Sequence, residues 1–99
     1  MATYRILYWH DIPSQIRAED ENGRYSLQLP DRFQEAIDDA AMRAKAIDED
    51  SYMKGFRWSE EKTRAGTAQV VAEQVAEEID FNYQEIDWKR TADKAKEAS

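Results

Sequence analysis

From Thr3 to Trp9 the chain alternates, with Tyr4, Ile6 and Tyr8 on one side of an extended strand and Arg5, Leu7 and Trp9 on the other. Apolar residues on both sides predict a central strand, or one whose second face meets a partner. His10 to Pro13 reads as a connection, because proline supplies no ladder donor. Ser14 to Asp20 alternates again, placing Ile16 and Ala18 inward and Gln15, Arg17 and Glu19 in water. Asn22-Gly23 signals a type I′ hairpin turn, whose central residues both need positive φ. Tyr25, Leu27 and Leu29 then alternate inward and complete a three-stranded meander.

After Leu29 the period lengthens. Asp31 stands where it can cap a helix, with Gln34 at the capping-box spacing. Phe33, Ala36, Ile37, Ala40, Ala41, Ala44 and Ile47 recur every three or four residues as a buried stripe, and its alanines allow close packing. The acidic run Asp48-Glu49-Asp50-Ser51 is the expected end of that helix. Tyr52 to Ser59 reads as an aromatic-rich fourth strand, and Gly55 inside it marks a bulge or a close backbone approach. Glu60 to Gly66 has no period and reads as a loop. Thr67 caps a second helix faced by Val71, Ala72, Val75, Ile79, Tyr83 and Ile86. Residues 88–99 have good helix formers but almost no apolar stripe, so they read as a polar C-terminal extension, a frayed helix.

These elements predict one α+β domain over residues 1–87: a small four-stranded sheet in β-β-β-α-β-α order, with two helices packed on one face. The link from the third strand to the fourth should be a right-handed crossover if those strands are parallel.

Composition narrows the function classes. Ninety-nine residues suffice for one modest core. A net charge of −7 disfavours nucleic acid, whose phosphates need a positive field. The absence of cysteine removes thiol nucleophiles, thiolate metal sites and disulfides together. No apolar run reaches the ~18 residues of a membrane span, and the N-terminus has no signal-peptide pattern. The expectation is a cytoplasmic protein that binds neither membrane nor nucleic acid and carries no cofactor.

His10 and Asp11 are the only neighbours with acid–base potential, since histidine titrates near neutrality. No catalytic motif accompanies them, and Ser14 lacks the glycines of a nucleophile elbow. The acidic run at Asp48 lacks the glycine and distal glutamate of a calcium loop, and Gly23, Gly55 and Gly66 form no phosphate cradle. Aromatic residues are the stronger signal. Trp9 and Trp58 flank predicted strand ends, and tryptophan on an uncovered sheet face suits a protein interface.

The segments from Tyr8 to Ile16 (Tyr-Trp-His-Asp-Ile-Pro-Ser-Gln-Ile), Leu29 to Asp38 and Phe56 to Ser59 resemble the small bacterial virulence factor domain. The similarity covers the chain to about Glu78. It departs from the family pattern where no proline precedes Gly66, and again past Tyr83. Members occur as small stand-alone proteins and as a domain of the larger conserved virulence factor C. The resemblance implies an accessory or subunit role beside folate- and corrinoid-dependent one-carbon enzymes, with no catalytic residues to transfer.

The leading expectation is therefore a non-catalytic interaction module with a protein partner. Trp9 and Trp58 would anchor that partner, while His10, Asp11 and Gln15 would supply directed hydrogen bonds. The alternatives are a small-ligand binder or enzyme using His10 and Asp11, and a self-associating homodimer.

Overall fold

The computed structural model describes residues 1–45 and 48–98, excepting the side chains of 97 and 98. Strands β1 (Ala2–Trp9), β2 (Ile12–Asp20) and β3 (Gly23–Gln28) form the expected meander. Helix α1 (Asp31–Arg43) and a short helix α2 (Glu49–Lys54) follow. Two three-residue strands, β4 (Phe56–Trp58) and β5 (Lys62–Arg64), precede helices α3 (Ala68–Asn82) and α4 (Trp88–Ala98). The α+β class with helices packed on an antiparallel sheet holds, while the element order gains two helices and a strand.

Every strand pairing is antiparallel, in the order β3-β2-β1-β4, with β5 also on β1. The chain thus crosses from one sheet edge to the other, and the handedness rule for parallel crossovers does not apply. β4 and β5 are two pieces of one broken edge strand. Leu7 pairs with Trp58 and Tyr4 with Lys62, so two residues of β1 face three on the edge. Ser59 bridges the break: its amide donates to the Ile6 carbonyl at 2.8 Å, and its Oγ accepts from the Ile6 amide at 2.9 Å. The polar stretch after Ser59 is hence not all loop. A side chain and one extra residue carry the ladder across a segment without hydrophobic alternation.

The hairpin between β2 and β3 turns at Glu21-Asn22, between the paired Asp20 and Gly23. Neither turn residue has positive φ, so the turn is not type I′; the permissive conformation falls on Gly23, at φ +147°. Asp20 takes control of the turn instead. Its Oδ1 accepts from the amides of Asn22 (2.8 Å) and Gly23 (3.1 Å), and its Oδ2 accepts from the first helical amide of α3, Ala68, at 2.7 Å. One carboxylate thereby ties a hairpin to a helix start and fills an orphan donor there.

These amides, Ala68 first, hold the Asp20 carboxyl below its ordinary value. The unfolded chain therefore binds the proton more readily. The stabilisation is present above the ordinary carboxylate range and disappears as pH falls through the lowered value. Thermal melts of Asp20→Ala from about pH 7 to about pH 2 should start lower than wild type and show a flatter acid limb. Parallel pH curves for the two proteins would contradict this.

On the helix side Phe33, Ala36, Ile37, Ala40 and Ala41 are buried as the stripe predicts, Ala44 is half-buried, and Ile47 lies outside the described residues. Pro30, not Asp31, holds the N-cap position, without a side-chain cap. Gln34 reaches Asp38 and the Tyr52 hydroxyl rather than closing a capping box. The acidic run begins a helix instead of ending one: Asp48 caps α2 by accepting from the Ser51 amide, and Glu49 and Asp50 lie at its positive end. Tyr52 is consequently helical, and the fourth strand starts only at Phe56. Thr67 caps α3 as expected, accepting from the Val70 amide at 3.2 Å.

The C-terminal segment is no frayed extension. Thr91, Ala92 and Ala95 of α4 are buried, and the helix packs on α1. Small residues leave a weak hydrophobic signature in the sequence yet permit close helix contact. Arg32 completes the layer by donating to Asp80 Oδ1 (2.7 Å) and to the carbonyls of Asp80 and Tyr83 at the end of α3.

Candidate functional site

The residues expected to form one surface separate into three places. Trp9 is in the core, with its ring fully buried. Its Nε1 donates to the Tyr52 carbonyl at 2.8 Å, the His10 ring meets it edge-on at 4.5 Å, and the Tyr52 ring lies 6.0 Å away. A ring without exposure cannot anchor a partner, so that expectation is corrected. Alternation orients a side chain about its strand. It says nothing of a distant segment such as α2 closing over the strand end.

Gln15 and Trp58 flank Leu7, which pairs with both, on the face of the sheet away from the helices. Trp58 is 38% exposed, and the Arg17 guanidinium stacks over its ring at 4.8 Å. Arg5 stands directly opposite Arg17 and reaches Glu61 at 4.0 Å, while Arg24 reaches Glu19 at 3.5 Å. This hollow, of about 270 Å³, is lined by three arginines, two glutamates and Trp58.

His10 and Asp11 form the two-residue turn between the paired Trp9 and Ile12. His10 holds φ +54°, a left-handed conformation uncommon for a residue with a side chain, and its amide donates to the Gly55 carbonyl at 2.9 Å. Both residues line a cleft of about 440 Å³ whose other walls include Tyr8, Arg57, Tyr83 and Lys94. Asp11 is held 2.7 Å from Lys94 of α4. Burial lowers the His10 pKa, opposed by the Asp11 charge and reinforced by Arg57, so the imidazole favours its neutral form. Among the described residues no hydrogen bond joins His10 to Asp11, although the Asp11 charge acts on the imidazole.

The pattern of the virulence factor family matches residues 7–90. The chain belongs to the virulence factor family. No curated protein matches the chain significantly, and neither does any solved structure.

The family match begins at Leu7 and runs into α4, beyond the Glu78 limit of the resemblance. The stretch past Tyr83 up to residue 90 thus belongs to the virulence factor pattern and is not particular to this chain. The match takes in the whole Trp9 enclosure, the His10 turn and most of the cleft. Arg57, Arg90 and Lys94 are the site residues that sequence reasoning missed; Tyr52 and Tyr83 were read only as a strand aromatic and part of a helix face. Gly55, with its hint of a close backbone approach, pointed toward the Trp9 enclosure.

Proposed function

We propose that this virulence factor domain is a non-catalytic interaction module, an accessory subunit that receives a protein partner on the helix-free face of its sheet. The observation that carries this reading is Trp58, a large ring left 38% exposed beneath an arginine on a face no helix covers. Tryptophan and arginine dominate the energetic centres of protein interfaces. Leu7 and Gln15 extend the surface as an apolar contact and an amide able to donate and accept.

The charges specify the partner's chemistry. Like charges directly opposite in a strand pair weaken a sheet, yet Arg5 faces Arg17 here. Three arginines against two glutamates give a locally cationic hollow on a chain of net charge −7. An acidic patch on the partner would complement it and steer its approach. The resemblance implies a folate- or corrinoid-dependent one-carbon enzyme as the partner class to test first.

The test is a tagged pull-down from the native host at physiological salt, with the stoichiometry of the bound proteins measured. A partner recovered one-to-one by wild type should be lost with Trp58→Ala and weakened by Arg17→Glu, with the melting temperature nearly unchanged. Recovery of the domain alone, or equal recovery by all three proteins, would refute the assignment.

A further inference from the structure

We propose that the cleft between the His10-Asp11 turn and the connection from α3 to α4 binds a small oxyanion, held by Arg57, Arg90, Tyr8 and Tyr83. The cleft has the size of a small-molecule site, about 440 Å³. Its donors have little else to do. Among the described residues the Tyr8 and Tyr83 hydroxyls and the Arg90 guanidinium have no hydrogen-bond or ion-pair partner. Arg57 makes one long contact, 3.5 Å to the His10 carbonyl.

Two of the three acids lining the cleft are engaged with other residues of its wall. Asp11 is paired with Lys94, and Asp87 caps α4 by accepting from the Arg90 amide at 3.2 Å. Glu85 remains against two guanidiniums. Burial raises the pKa of both phenols, reinforced at Tyr83 by the Asp11 charge, so they stay protonated and able to donate through the neutral range. Planar guanidiniums with hydroxyl donors suit carboxylate and phosphate groups alike.

His10, in the left-handed conformation that a two-residue hairpin turn favours, forms the rim of this cleft. The inference stands apart from partner docking, because the cleft shares no residue with the Trp58 surface.

The experiment is an NMR titration of the full chain with inorganic phosphate and, separately, with malonate, each against sodium chloride of matched ionic strength. Saturable shifts are expected at Tyr8, Arg57, Tyr83 and Arg90 with at least one anion. Arg57→Gln and Arg90→Gln should each weaken binding by about tenfold, as loss of one charge-assisted bond implies. Both side chains belong to exposed residues, so the variants should fold, which the same spectra verify. Arg17→Gln and Trp58→Ala should bind as wild type does. Saturation with phosphate alone would identify a phosphate ester as the ligand class, and saturation with malonate alone an organic acid. No saturable shift with either anion, or affinity unchanged in both cleft variants, would overturn the proposal.

Discussion

Replacing Trp9 by alanine should destabilise the domain by about 3–5 kcal/mol, the usual result of removing a large buried aromatic side chain. For a chain of this length that is a fall in Tm on the order of 20 °C. The cost has two parts. A fully enclosed ring disappears, and the Tyr52 carbonyl at the end of α2 loses its indole donor. Trp9→Phe separates them: it restores most of the volume but not the donor, and should cost about 1–3 kcal/mol. Circular dichroism melts of both variants provide the check. A Trp9→Ala protein within about 1 kcal/mol of wild type would mean that the ring is not enclosed in solution.

Gly55→Ala should come second, at about 3 kcal/mol, the upper end of ordinary overpacking. Gly55 has φ −72°, which any residue adopts, so its backbone conformation is not the constraint. Space is. A β-carbon there would lie 2.6 Å from Trp9 Cε2 and 2.8 Å from Cδ1, and closer still to Nε1. The indole cannot retreat, because its Nε1 is bonded to Tyr52, three residues before the glycine. The clash predicts strong coupling. In a Trp9→Ala background the added methyl enters the space the ring has left, and Gly55→Ala should cost almost nothing. Denaturant unfolding of the two single variants and the double variant measures this directly. Additive losses would show that the glycine matters for a reason other than the indole.

Such pairs mark the boundary of what sequence reasoning reaches. The alternation of β1, β2 and β3 and the stripe of α1 were readable because each is a local repeat set against one core. Thr67 and Asp48 both act as caps, but only the first was recognised. A Thr before an apolar period looks like a helix start, whereas an acidic cluster after one resembles a helix end. The residues of α4 read as helical, but their packing did not show in the sequence for a related reason: alanine and threonine bury well in a close helix contact but barely register as a hydrophobic stripe.

The candidate site was less legible than the fold. Gln15 and Trp58 could be placed on one face only through register, because Leu7 brings them together from strands 43 positions apart. The cleft draws on β1, the edge strand and the connection from α3 to α4, and its arginines carry no motif.

By itself the sequence determined the α+β class, the meander, the stripes of α1 and α3 and the virulence factor family, because local periodicity and residue identity encode all of them. Only the tertiary structure decided that Trp9 is core, that Gly55 must be small beside it, and that the open sheet face and the cleft are separate surfaces. Those properties depend on which distant segments close over a strand end, and no local repeat records that.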